Sequence, residues 1–149
     1  MRVKTKQLTF IDRNHDVTEA LSVEFSEEEG VKIMQGDILK RASNCIVSPA
    51  NSAGFMDGGI DKSFREFFGP GLEEDIRARI SVLPHGTLTV GTAMRMATRN
   101  ASIPWMIIAP TMDSPEFIPA ENVYRAMKAI LRILDKYPEL SPCFLPGLG

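Results

Sequence analysis

The sequence lacks the features that mark several large classes of protein. Its 149 residues include only 2 cysteines and 2 histidines, too few for a disulfide framework or a metal-ligand cluster. No apolar run approaches the roughly 20 residues that cross a bilayer, and no signal-type apolar stretch follows the start of the chain. Cys45 and Cys143 have apolar neighbours and read as small buried residues, while His15 and His85 have no second ligand at metal-binding spacing. We therefore expect a cytoplasmic protein with no membrane contact, metal or cofactor.

The charges are balanced and the chain has no excess of basic residues. There are 17 Lys and Arg against 19 Asp and Glu, a formal net charge of −2. General nucleic-acid binding needs a clustered positive excess, so we expect none here. The 44% hydrophobic content is enough for a sizeable core at this length. We therefore expect one domain over residues 1–149.

Apolar patterning predicts strands and helices in alternation. The strands are expected, in chain order, at residues 8–11, 31–34, 45–47, 87–90, 104–109 and 143–145. The strand at 104–109 is apolar throughout, so we expect it at the centre of the sheet. Such alternation predicts an α/β domain of three layers, α/β/α, around a mixed, mostly parallel sheet.

Residues that cap or end helices place the predicted helices. Asp16 and Glu19 form a capping box for the first helix, and Gly30 is expected to end it. Two further helices meet near residues 69–71. Pro119 suits the first turn of the last helix, which stops before Pro138.

Small and polar residues follow four of the predicted strands. These turns are residues 36–38, 49–51, 110–112 and 147–149. The carboxyl ends of parallel strands share one edge, so we expect these turns to border a single crevice. Beside them Gly58 and Gly59 open a helix, where free amides and the helix dipole favour a phosphate. A Gly-Gly pair is also a common turn that needs positive φ, but its position favours a nucleotide cleft.

Four polar side chains near this crevice each allow two interpretations. Asp37 caps a local turn or accepts a hydrogen bond from an exocyclic amine such as that of adenine. Asn51 braces its own loop or positions a ribose. Asp57 and Asp61 favour a helix start electrostatically, or act as carboxylates beside a sugar, where one stabilises positive charge or orients a water.

The order of these motifs resembles the macro domain, the ADP-ribose-binding module. The motifs that carry the resemblance are residues 36–38, 46–52, 58–61 with Gly69, 107–112 and 144–149. It implies that Asp37 binds the adenine amine beside the Ile38 backbone, and that Asn51 holds the distal ribose. The same resemblance assigns two further groups, the diphosphate cradle of Gly58, Gly59 and Ile60 and the second phosphate loop of Gly147, Leu148 and Gly149.

The resemblance also implies a catalytic pair, with departures. Asp61 matches the acidic position of hydrolytic members near the anomeric carbon, with Asn51 as sugar positioner. Ser48, however, stands where many hydrolytic members have Asn, and the glycine run is reduced to two. We expect the family's C-terminal end to be lacking. The flank beside the strand at 143–145 would then be exposed and covered by self-association into a homo-oligomer.

Three functional hypotheses follow for residues 1–149. The first is an ADP-ribose-binding macro domain that hydrolyses ADP-ribosyl linkages or processes derivatives such as ADP-ribose 1''-phosphate or O-acetyl-ADP-ribose. The second is a non-catalytic reader or accessory domain whose partner is an ADP-ribosylated macromolecule. The third keeps the fold without the ligand.

Overall fold

The computed structural model describes residues 6–113 and 118–148, which form six strands and five α-helices. The strands are β1 (Leu8–Asp12), β2 (Val31–Gln35), β3 (Cys45–Ser48), β4 (Met94–Ala97), β5 (Trp105–Ile108) and β6 (Cys143–Leu145). The helices are α1 (His15–Glu24), α2 (Ile38–Arg41), α3 (Gly59–Phe68), α4 (Pro70–Ser81) and α5 (Ala120–Lys136).

The strands form one mixed sheet in the order β2-β1-β6-β3-β5-β4. All neighbours are parallel except β4, which runs antiparallel to β5. Phe10 of β1 lies opposite both Ile33 and Leu145, so β1 joins β2 to β6 in register. The carboxyl ends of β2, β1, β6, β3 and β5 therefore meet along one edge, as the predicted fold requires.

Two apolar cores cover the two faces of the sheet and confirm the layered α/β fold. Phe64 of α3 and Ile76 of α4 pack on one face against Ile46. On the other face, Ile130 of α5 packs against Val47. Since neighbouring residues of β3 serve opposite cores, the strand is buried on both sides, which explains its continuous apolar sequence.

The strand predicted at 87–90 is wrong. That segment is irregular and lies between Gly86 (φ 65) and Gly91 (φ 97), whose positive φ angles break an extended path. Leu88 is buried, but its N–H donates to the carbonyl of Ser52 in a loop. The edge strand is instead β4, whose Met, Arg and Ala residues have weak strand propensity and gave no strand signal.

The first and last predicted helices begin one or two residues away from their predicted starts. Asn14, rather than Asp16, caps α1, because its Oδ1 accepts from the backbone N–H groups of Asp16 and Val17. That helix ends well before Gly30, whose φ of 84 serves the turn into β2. Pro119 occupies the N-cap of α5 rather than its first turn.

Two expectations about strand placement are also corrected. Strand β5 is internal but lies second from the edge, while β6 and β3 occupy the centre. Strand β6 pairs with β1 on one side and β3 on the other. Among residues 6–113 and 118–148 the exposed flank expected beside β6 is therefore not observed, and the homo-oligomer stays a prediction without that support.

Candidate functional site

A cleft of about 750 Å³ opens at the carboxyl edge of the sheet. It is bordered by the segments that follow β1, β2, β3, β5 and β6, and by the start of α3. Nine of the predicted site residues line it: Asp37, Ile38, Asn51, Gly58, Gly59, Ile60, Asp61, Gly147 and Leu148. Gly149 lies outside the described residues. The structure thus brings together residues up to about a hundred positions apart in the chain.

Asp37 stands at one end of the cleft, at the turn from β2 into α2. Its Oδ1 accepts from the Leu39 N–H at 3.0 Å and so caps α2. Its Oδ2 accepts from the Arg13 guanidinium at 2.9 Å. The capping interpretation therefore holds, and because each carboxylate oxygen has a second lone pair, an amine can still be accepted.

Asn51 braces its own loop. Its Oδ1 accepts from the N–H groups of Ala53 and Phe55, at 3.1 and 3.2 Å. Its Nδ2 donates to the Phe55 carbonyl at 2.9 Å. These three bonds show the bracing role directly. They leave only one N–H of the Asn51 amide for a ligand.

The start of α3 presents open backbone donors. Gly58 is the N-cap in extended backbone, and no side chain caps the helix. Gly59 has a φ of 57, and a Cβ on either glycine would meet no atom within 4 Å. The first amides of a helix have no partner within it, so this end of α3 offers unobstructed N–H groups to an anion.

Asp61 lies in the first turn of α3 and is buried at 6% exposure. Its Oδ1 accepts from the Ser48 hydroxyl at 2.5 Å. Burial raises the pKa of Asp61 from 3.8 to about 6, the hydrogen bond from Ser48 opposes the rise, and Asp57 and Glu73 add to it. A carboxyl with such a pKa can gain or lose a proton near neutral pH, as acid–base chemistry requires.

Sequence reasoning missed two residues at the Asp37 end of the cleft, Asp12 and Arg13. The Asp12 carboxylate accepts from the N–H groups of Asn14 at 2.9 Å and Gly147 at 3.1 Å. The Gly147 amide is therefore committed to Asp12, which argues against the direct phosphate contact expected of it. The partners that draw these two residues to the cleft, Gly147 and Asp37, follow other strands, so no local sequence signal could have identified them.

Glu73 was missed for a similar reason, and Thr111 was predicted only as part of the turn at 110–112. Glu73 of α4 accepts from the Met56 N–H at 2.5 Å and pairs with Arg65 at 3.0 Å, which supports the loop before α3. Thr111 follows β5 and lines the cleft, and its Oγ1 is buried without a partner among the described residues. A hydroxyl in the turn after β5 was the only available signal for a role of the Thr111 side chain.

The cleft carries more negative than positive side chains. Four carboxylates line it, Asp12, Asp37, Asp57 and Asp61, while Arg13 is its single cation among the described residues. An anionic ligand must therefore depend on backbone amides rather than on a basic pocket. Within residues 6–113 and 118–148, no group of three His, Cys, Asp or Glu side chains could hold a metal ion.

Comparison with known proteins identifies the family. The macro domain family model matches residues 47–139. An uncharacterized protein of Aquifex aeolicus is 30% identical over 124 residues, covering 80% of this chain and 68% of that protein. The chain therefore belongs to the macro domain family, as its motifs suggested.

Solved structures agree on the fold. The macrodomain of Mycobacterium tuberculosis DarG has a TM-score of 0.64 at 18% identity, covering 76% of this chain and 74% of that one. Thermosipho africanus DarTG, in complex with ADP-ribose, has a TM-score of 0.61 at 12% identity, covering 94% of this chain and 45% of that one. The chain thus spans less than half of DarTG. None of the helices in the described part of the chain is long and apolar enough to cross a membrane.

Proposed function

We propose that this macro domain binds ADP-ribose, free or attached to a macromolecule. The carrying observation is one cleft with open amides at the start of α3 and a carboxylate, Asp37, at the far side. The order of strands separates these groups, because Asp37 follows the edge strand β2, whereas the loop into α3 follows the central strand β3. An elongated ligand with an amine-bearing base, a diphosphate and a further sugar matches that spread of groups.

Membership of the macro domain family and similarity to the DarTG structure support ADP-ribose as the ligand. The chain belongs to the macro domain family, and it shares its fold with the DarTG structure that holds ADP-ribose. We further propose a cytoplasmic location, supported by the neighbouring Cys45 and Cys143, which are both free thiols although their Sγ atoms are 3.8 Å apart.

Calorimetry with ADP-ribose tests the binding directly. We expect saturable heat from the wild-type protein, and the absence of heat at about 1 mM ligand would overturn the proposal. Gly59→Glu should abolish the signal, because it places bulk and negative charge among the open amides and strains a backbone at φ 57. Gly71→Glu is the matched control, since Gly71 is exposed on α4, meets no atom within 4 Å and does not line the cleft.

The finer proposal is that Asp61 makes the domain a hydrolase of ADP-ribosyl linkages. In that step the bond between the anomeric carbon and its carrier breaks, water adds to the carbon, and the carrier takes up a proton. The Asp61 carboxylate would stabilise the positive charge on the sugar or orient the water. Its burial, its bond to Ser48 and its pKa of about 6 support that role.

A release assay separates hydrolysis from binding. ADP-ribosylated protein is incubated with the wild type and with Asp61→Asn, and free ADP-ribose is measured. We expect release by the wild type, none by the variant, and similar calorimetric affinity for both. Full activity in Asp61→Asn would show that another group carries out the reaction.

A non-catalytic reader is the second candidate, and one observation favours it. Three hydrogen bonds commit the Asn51 amide to its own loop, so the partner proposed to position the sugar has little freedom to do so. In this case the wild type retains ADP-ribosylated protein on a column but releases no ADP-ribose. The same assay therefore decides between the two candidates.

A further inference from the structure

Arg13 holds an unusual position at the Asp37 end of the cleft. It directly follows β1, which lies beside the edge strand β2. Its guanidinium donates to Asp37 Oδ2 at 2.9 Å, and its carbonyl accepts from Gln35 Nε2 at 3.1 Å. The guanidinium and the carbonyl of Arg13 thus both bond to residues at the end of β2, yet 78% of its side chain is exposed. The Arg13 guanidinium is therefore hydrogen-bonded to Asp37 and also largely exposed, so a ligand can reach it.

The rest of the cleft supplies little that could cover a flat ring at this end. Among the described lining residues the only aromatic side chain is Phe55. It belongs to the loop after β3, and Arg77 already lies 3.9 Å from its ring centroid. Between that loop and β2 stand β6 and β1. A base bound at Asp37 therefore has no aromatic partner from the loops that follow β1 and β2.

We propose that the Arg13 guanidinium packs against the face of the ligand's purine, while Asp37 accepts from its amine. This inference rests on the proposed function and adds the residue that selects the base. A guanidinium is planar and weakly hydrated, and it stacks on aromatic rings more effectively than an ammonium does. The bond to Asp37 favours this position of the group before binding, which reduces the side-chain freedom lost on binding.

Arg13→Lys tests the stacking because it keeps the charge and removes the plane. Calorimetry with ADP-ribose should give a dissociation constant about 10-fold higher for the variant than for the wild type. The ratio should persist when the salt concentration is raised, since both side chains carry one positive charge. Arg41→Lys is the control, because Arg41 is exposed on α2 and does not line the cleft.

Titration with AMP tests the contribution of the purine to binding separately from that of the diphosphate. Chemical-shift titrations with AMP should show the same weakening in Arg13→Lys, because AMP keeps the purine and has a single phosphate. Binding of ADP-ribose to Arg13→Lys within about 2-fold of the wild type would overturn the inference, since charge alone would then suffice. Equal behaviour of the two proteins toward AMP, including no binding by either, would also overturn it. If the wild type itself gives no heat with ADP-ribose, the proposed function fails instead.

Discussion

Burial of the Asp61 carboxylate lowers the stability of the protein at neutral pH. The folded state raises its pKa from 3.8 to about 6, chiefly because burial disfavours the charge. The folded chain therefore keeps this proton at pH values where the unfolded chain has lost it. The penalty is absent well below pH 4, grows between about pH 4 and pH 6, and levels off above that at about 3 kcal/mol. A residue placed for chemistry thus weakens the fold under working conditions.

Asp61→Asn should for this reason stabilise the protein while removing its proposed activity. The amide keeps the shape of the side chain and has no charge to bury, so we expect a gain of about 1 to 3 kcal/mol near pH 7.5. The gain should fall to about 0.5 kcal/mol near pH 4, where Asp61 is protonated in the folded state and close to its pKa of 3.8 in the unfolded chain. Urea denaturation at the two pH values measures the difference.

The control for this measurement is Asp57→Asn. Asp57 is exposed in the same loop, so its replacement should change the stability by no more than about 0.5 kcal/mol at either pH. A gain for Asp61→Asn that was equally large near pH 4 would contradict the assignment to buried charge.

Two glycines of the loop between β3 and α3 differ in whether the structure has room for a Cβ atom. A Cβ on Gly54, where φ is 79, would lie 2.8 Å from Ile80 Cδ1 and 3.0 Å from Ile76 Cγ2. Gly54→Ala should therefore cost about 2 to 3 kcal/mol of unfolding free energy. Gly58 has φ −150 and open space around its Cβ position, so Gly58→Ala should cost about 0.5 kcal/mol. Urea denaturation of both variants checks the pair, and equal losses would contradict the steric argument.

At the scale of elements, α4 supports the loop that leads into α3. The Glu73 carboxylate accepts from the Met56 N–H at 2.5 Å and pairs with Arg65 at 3.0 Å. Because Met56 is buried, removal of the carboxylate leaves its N–H without a partner. The amides at the start of α3 therefore depend on a neighbouring helix as well as on their own glycines.

Glu73→Ala should lower the unfolding free energy by about 1 to 3 kcal/mol. It should also speed hydrogen exchange in residues 54–59, since their brace is lost. Exchange measured by mass spectrometry and urea denaturation give the two readouts. Glu74→Ala is the control, because that neighbour is exposed. Unchanged exchange in the Glu73 variant would mean that the loop holds its shape without α4.

The elements that the sequence predicted well are those whose local pattern agrees with their burial. Strand β3 is apolar because both faces are covered, and α5 has one apolar stripe facing one core. The errors fall where tertiary contacts, rather than the local sequence, determine whether a segment forms a strand. Residues 87–90 alternate like a strand but bond to a loop, whereas β4 is a strand because β5 offers it an antiparallel edge.

At the scale of the whole molecule, the cleft exists because five parallel strands end along one edge. The sequence could predict which turns follow strands, and those turns do line the cleft. It could not predict which turns are neighbours, because the order β2-β1-β6-β3-β5 is a property of strand pairing. Asp12 and Gly147, 135 positions apart, bond only because β1 and β6 are adjacent.

The two cysteines provide a probe of this central sheet. Cys45 and Cys143 lie opposite each other on β3 and β6, and both are fully buried. A hydrogen bond to Cys45, together with burial, raises the pKa of the Cys143 thiol, which disfavours the reactive thiolate. A thiol reagent should therefore label the native protein only when the sheet opens, and urea-unfolded protein should react at once.

Ligand binding to the cleft should then protect thiols that the ligand never touches. The cleft is formed by the ends of the same strands, so opening the sheet destroys it, and ADP-ribose binds only the closed form. At about 100 times its dissociation constant, the ligand should stabilise the fold by about 2.7 kcal/mol and slow labelling about 100-fold. The rate is measured by stopping the reaction at set times and counting the labelled thiols by mass spectrometry. Gly59→Glu should show no slowing at the same ligand concentration. Rapid labelling of the ligand-free protein in the absence of denaturant would contradict a single cooperative sheet. Slow labelling that ADP-ribose leaves unchanged would mean that the closed form does not bind it.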